Sequence, residues 1–211
     1  MADEANLPRI YHPDTVQPAP SRLYFFDANV WLEVISPPLS RRTFMRPYMA
    51  LWRRLQEAGQ PCIVANAVLV SEIMNRFLRL RFDVWREAPG TLTALQASGD
   101  LTGNQRIDFK RHFRGSEPYK DALNQFLAAW DEVSYFVTYL QAEVESSIVP
   151  AMLLNYGKQS DFNDKYYAEF CKAHGLWLVS HDGDFYVGGL NVVTANEESL
   201  AKYEEMKRRQ R

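Results

Sequence analysis

The stretch Gln159-Ser-Asp-Phe-Asn-Asp-Lys-Tyr-Tyr-Ala-Glu-Phe-Cys-Lys-Ala-His-Gly-Leu-Trp-Leu-Val-Ser-His-Asp-Gly-Asp-Phe185 reads as a helix, a turn and a strand in immediate succession. Ser160 or Asp161 can cap the helix, because a side-chain oxygen there accepts from free backbone N–H groups. Phe162, Tyr166, Phe170 and Ala173 recur at helical spacing, which predicts a core-facing side. Gly175 ends the helix, where a left-handed turn favours glycine. Leu176 to Val179 is a short apolar run of strand type that stops at Ser180 and empties into His181-Asp182-Gly183-Asp184. A helix that opens on Asp161 and Asp164 is thus followed by a strand that ends on Asp182 and Asp184. In an α/β sheet the ligand crevice lies beyond the carboxyl ends of the strands, so these acids are the feature to explain.

Working outward, Leu23-Tyr24-Phe25-Phe26 is a second continuous apolar run, closed by Asp27. Continuous hydrophobicity suits a central parallel strand covered on both faces. An Asp in that position is either a turn or cap residue or a buried acid that needs a partner or ligand. Residues Arg41 to Ala58 predict a helix with Phe44, Tyr48, Leu51, Trp52 and Leu55 on one side, and Pro61 to Ala65 a second strand ending at Asn66. Ala67 to Phe82 predicts another helix, with Val68, Ile73, Phe77 and Leu80 as its apolar side. Glu72 sits near its start, followed by Arg76 and Arg79. Two readings stand: a surface i,i+4 ion pair, or a metal-binding carboxylate beside phosphate-facing arginines.

From Asp83 to Pro118 turn signals accumulate, and Arg106, Lys110, Arg111, His112 and Arg114 form a basic cluster interleaved with Phe109 and Phe113. Either bases stack on the aromatics while the cations meet phosphates, or this is a solvated face whose phenylalanines point to the core. Tyr119 to Val144 keeps helical spacing and predicts one long amphipathic helix or two joined ones. Ile148 to Leu154, broken by Pro150, reads equally as strand, edge strand or helix. Asn191 to Thr194 predicts a last short strand, and 197–211 a charged helix with a basic end. Met1 to Ser21, with Pro8, Pro13, Pro18 and Pro20, predicts an extended tail. The alternation of strands and helices predicts an α/β fold with a central parallel sheet flanked by helices. Its domain spans 22–196 and includes a mainly helical middle segment, 83–158.

Hydrophobic residues make up 46% of the 211-residue chain, enough for the core of one such domain. The net charge of −2 gives no overall pull toward nucleic acid or acidic membrane, so a polyanion must be gripped by a local patch. Cys62 and Cys171, in an expected strand and helix, read as buried free thiols of a reducing compartment, and no Cys or His cluster has zinc spacing. The longest run without Asp, Glu, Lys or Arg, Ala58 to Ser71, is too short for a membrane span. With no signal-peptide core at the N-terminus, a cytoplasmic protein is expected.

Asp27 and Asp182 fall at strand ends, and Glu72 and Asp164 in the first turns of helices. In a parallel sheet those positions lie on one side, so the four carboxylates can converge. Clustered carboxylates repel unless a cation neutralises them. Mg²⁺ or Mn²⁺ is the expected ion, being hard and oxygen-loving and able to bridge to phosphate. Such a site can polarise a phosphodiester and activate water.

Phe26-Asp27-Ala28-Asn29-Val30-Trp31, Ser71-Glu72-Ile73, Asn163-Asp164 and Leu178-Val179-Ser180-His181-Asp182-Gly183-Asp184-Phe185, in that order, resemble the PIN-domain nucleases and, in style, the VapC-like toxin ribonucleases. The resemblance covers Arg22 to Phe82 and Gln159 to Thr194, while Asp83 to Lys158 matches nothing and makes the chain longer than such a toxin. It implies metal-dependent hydrolysis of RNA, with Asp27, Glu72, Asp164 and Asp182 as metal ligands and Asp184 as a supporting acid. Asn29 and Ser180 would orient ligands or water, and Asp161 would be an extra ligand or a helix-start charge favoured by the dipole. Arg76, Arg79, Arg106, Lys110, Arg111 and Arg114 are the expected nucleic-acid contacts. The resemblance further implies a homodimer and a cognate antitoxin. A non-catalytic RNA-binding protein and a DNA-directed nuclease of related fold remain as alternatives. An aspartyl phosphatase is disfavoured, because Asn29 stands where a second acid is needed.

Overall fold

The computed structural model describes residues 7–36, 43–59, 61–103, 105–141 and 162–210. Its centre is an all-parallel sheet of β1 (Arg9–Tyr11), β2 (Tyr24–Phe26), β3 (Ile63–Ala65), β4 (Val137–Tyr139), β5 (Trp177–Val179) and β6 (Asn191–Val193), in the order β1-β6-β5-β2-β3-β4. From β2 the chain steps outward through β3 to β4, then returns to the other side of β2 with β5 and β6. That reversal falls at the carboxyl ends of β2 and β5, the place where doubly wound sheets bind their ligands.

Helices cover both faces because the central strands are apolar on both. β2 and β3 are buried at every residue, as their uninterrupted apolar runs require. Successive side chains of a strand point to opposite faces. Phe25 accordingly packs on Tyr167 and Phe170 of α6 (Phe162–Ala173). Phe26 packs on Trp31 of α1 (Ala28–Ile35) and Trp52 of α2 (Arg46–Glu57). Trp31 also meets Trp130 of α5 (Glu117–Ser134), so one indole ties three helices to the sheet. The expected α/β architecture, a parallel sheet flanked by helices, is the one observed, and Cys62 and Cys171 are free and buried.

Two strands depart from the sequence reading. Part of the Pro-rich tail is β1, which extends the sheet by pairing Arg9, Ile10 and Tyr11 with Asn191, Val192 and Val193 of β6. The run from Tyr119 to Val144 is not one helix or two: α5 stops at Ser134 and β4 follows, pairing Ala65 of β3 with Tyr139. Val137 and Leu140 extend the helical spacing of Val133, but Val-Thr-Tyr suits a pleated surface, and β3 supplies a partner for it. Val144 and Ile148 to Leu154 lie outside the described residues.

The middle segment has its own small core. α3 (Ala67–Glu87) runs past its expected end, and α4 (Thr91–Ala97) follows it. A π-turn, Phe109–Phe113, is capped by Asp108, whose Oδ1 accepts from the N–H groups of Lys110 and Arg111 at 2.9 and 2.8 Å. Phe113 is fully buried against Phe82, Trp85 and Tyr119, and Phe109 packs on Phe82. Of the two readings of these phenylalanines the core one holds: they build the local core. Arg106, Lys110, Arg111 and Arg114 stay exposed. The chain ends in α7 (Glu197–Gln210). Among the described residues no helix is long and apolar enough to cross a membrane.

Candidate functional site

Asp27 closes β2 and caps α1. Its Oδ1 accepts from the N–H of Ala28 at 2.6 Å, and its Oδ2 from Asn29 Nδ2 at 2.8 Å and Ser180 Oγ at 2.7 Å. The side chain is buried, and burial is the main reason its carboxyl is raised from an ordinary 3.8 to about 6. The Ser180 hydrogen bond opposes that rise, the Glu72 carboxylate adds to it, and the Arg76 guanidinium and the Ala28 N–H oppose it. Ser180, fully buried at the end of β5, also accepts from the N–H of Asp182 at 3.0 Å. One hydroxyl thus joins the ends of the two neighbouring strands.

Glu72 lies in the second turn of α3, whose N-cap, Asn66, accepts from the Leu69 N–H at 2.9 Å. Its Oε1 pairs with Arg76 Nη2 at 2.6 Å, and its Oε2 accepts from Asn163 Nδ2 at 2.8 Å and Tyr167 OH at 2.5 Å. The i,i+4 ion pair is present, but it is not a surface pair: the Glu72 side chain is only 11% exposed. Burial, then the hydrogen bond to Glu72 and its charge, keep the Tyr167 hydroxyl protonated. Sequence reasoning missed Tyr167. The available signal was its position one helical turn after Asn163.

The other acids are placed differently. Asp164 is partly buried in the first turn of α6, Asp182 and Asp184 are exposed in the loop after β5, and Asp161 lies outside the described residues. Asp182 Oδ1 accepts from the Asp184 N–H at 3.3 Å. Among the described residues no group of three or more His, Cys, Asp or Glu side chains is arranged to hold a metal ion. Of the four expected carboxylates, Glu72 acts on Asp27 through its charge.

Tyr48, read from sequence as a core aromatic, has a second role. Its hydroxyl accepts from the Ala195 N–H at 2.7 Å and lies within hydrogen-bond distance of the Ser180 carbonyl, His181 Nδ1 and Thr194 Oγ1. It clamps together the ends of β5 and β6, and burial pushes its hydroxyl up to about 12.

Beside Glu72 opens a cleft of about 530 Å³, lined by Ser71, Asn75, Arg76, Arg79 and Asn163. The Arg79 guanidinium rests over the Phe109 ring, 5.4 Å from its centre, which ties this cleft to the π-turn.

No family model matches the chain, and no curated protein matches it. Among solved structures it is similar to a chain from the structure of FitAB bound to an IR36 DNA fragment. The two share 15% identity with a TM-score of 0.38, over 83% of this chain and 96% of that one.

The donors at the site are carboxylate, amide and hydroxyl oxygens, the set a hard divalent cation selects. Asn29 Oδ1 is buried with no hydrogen-bond partner in the protein. A buried acceptor left this way calls for a water or an ion, and it belongs to the residue whose amide nitrogen already holds Asp27. The residues therefore fit a cation near Asp27 and Asn29. Glu72 would reach it once Arg76 turns out of its present pairing.

Proposed function

We propose that this protein is a Mg²⁺- or Mn²⁺-dependent ribonuclease that hydrolyses phosphodiester bonds in RNA. The observation that carries this reading is Asp27: a buried carboxylate at the switch point of a parallel sheet, within the field of a second acid and beside an unpartnered amide oxygen. A charge so placed is costly without a counter-ion, and it lies where such sheets bind ligands.

In this reading Asp27 and Glu72 hold the cation, with Asp164 and Asp182 completing its shell from the start of α6 and the loop after β5. The bound ion would supply charge stabilisation to the phosphodiester and lower the pKa of an attacking water. Ser180 and Asn29 fix the Asp27 carboxylate through their hydrogen bonds, and Asp184 supports the loop. Arg76 and Arg79, in the cleft beside Glu72, meet the phosphates. Without the cation Asp27 is ionised at neutral pH and protonated in acid. Protons therefore compete with the metal for it, and cleavage is expected to fall in acid, less so as the metal concentration is raised.

Incubation of the purified chain with matched single-stranded RNA and DNA tests the proposal, with Mg²⁺, with Mn²⁺ and with EDTA. Metal-dependent scission of RNA, abolished by EDTA, is the expected result. Cleavage of DNA alone would replace RNA as substrate. RNA binding without turnover in either metal would leave only a binding protein.

A further inference from the structure

A second cavity, of about 610 Å³, adjoins the cationic cleft across Ala67 and Ser71, which line both. Its walls are mostly apolar: Val70 and Met74 of α3 face Tyr139 and Leu140 at the end of β4, with Asn66 and Gln141 at the edge. Tyr139 is 55% exposed, yet its ring is held in place, since its hydroxyl accepts from Trp130 Nε1 at 2.9 Å. Such a ring offers a face to solvent without losing much freedom on binding. β4 is separated from β2 by β3 alone. Tyr139 therefore stands two strand spacings, roughly 10 Å, from the strand that carries Asp27.

We infer that this cavity is a nucleobase subsite, in which a base of the single strand lying in the adjoining Arg76–Arg79 cleft stacks on Tyr139. A single strand presents just this pairing of surfaces, anionic phosphates along one edge and flat apolar bases beside them, and proteins meet it with cations next to aromatic rings. A cavity lined by apolar groups, with a few amides at its rim, has the make-up of a small-ligand site. Gln141, exposed at the rim, is the group placed to touch the edge of the base.

The inference rests on the proposed polynucleotide substrate, and a binding assay in EDTA separates it from the cleavage chemistry. The probe is a short fluorescein-labelled single-stranded RNA, with and without one abasic position, titrated with the full chain. Tyr139→Ala is expected to weaken binding by about 5- to 100-fold, and Tyr139→Phe, which keeps the ring but loses its tether to Trp130, by clearly less. An abasic position that weakens binding to the wild type should weaken binding to Tyr139→Ala no further, since both remove the same contact. Near-ultraviolet circular dichroism confirms that each variant is folded. Undiminished binding by folded Tyr139→Ala, or abasic and Tyr139→Ala losses that simply add, would overturn the subsite. If the Tyr139 pattern holds but no metal cleaves the RNA, the subsite stands and the nuclease reading falls. If RNA is cleaved but Tyr139→Ala binds as the wild type does, the reverse is true.

Discussion

Asp27→Asn is expected to reduce metal-dependent RNA cleavage by about a thousandfold or more while raising the melting temperature at pH 8. The first effect follows from removing a charged ligand, since a bound cation is worth several kcal/mol to the transition state. The second follows from the burial of the carboxylate. Asp27 titrates near 3.8 when exposed and near 6 in the fold. Between those values the native state holds more protons than the unfolded one, so stability falls as pH rises through the window. The full cost, present above about pH 6 and absent below about pH 4, is roughly 3 kcal/mol. The amide carries no charge to bury, and the unpartnered Asn29 Oδ1 can accept from it if that side chain turns. Part of the gain is offset by donors that faced two carboxylate oxygens and now face one. Thermal melts in EDTA at pH 4 and pH 8 check this. A variant that is destabilised at pH 8, or that still cleaves, would contradict the assignment of Asp27.

Trp31→Ala carries the largest expected loss of stability. Its ring is fully buried, with centroids 5.9 Å from Phe26, 5.4 Å from Trp52 and 5.1 Å from Trp130. Truncation leaves a cavity where α1, α2 and α5 meet the sheet, at a cost of about 3–5 kcal/mol. Trp31→Phe should behave differently. The indole Nε1 is buried without a partner, so the phenyl ring removes an unsatisfied donor, worth about 1–3 kcal/mol, and this compensates for lost contact area. Urea unfolding should therefore place Trp31→Phe within about 1 kcal/mol of the wild type and Trp31→Ala far below. Equal losses for the two would mean that the ring is not the keystone of that face.

What the sequence disclosed, and what it hid, follows from where each element obtains its stability. β2, β3 and β5 were legible because strands buried on both faces must be apolar throughout, and α6 because its core stripe and Gly175 are local signals. β1 was hidden among prolines: only three residues pair, and its partner β6 lies far along the chain. β4 was hidden because Val137 and Leu140 continue a helical spacing, and only β3 makes a strand of them. At the site, Asp27 could be singled out by its place in the ordered set of acids, since an Asp closing an apolar run is as readily a turn or cap residue. The state of Glu72 could not be read, because Asn163 and Tyr167, which accompany Arg76 around it, come from a helix some ninety residues on. The exposure of Asp182 and Asp184 likewise depends on the loop that carries them, not on their spacing.

The central claim is that a divalent cation neutralises Asp27 and Glu72 together. Anomalous scattering from crystals of the protein soaked in Mn²⁺ tests this most directly. The account predicts a manganese peak in contact with the carboxylates of Asp27 and Glu72, with the Arg76 guanidinium turned outward from its present pairing. A Glu72–Arg76 pair that stays closed, with manganese bound elsewhere or nowhere, would contradict it.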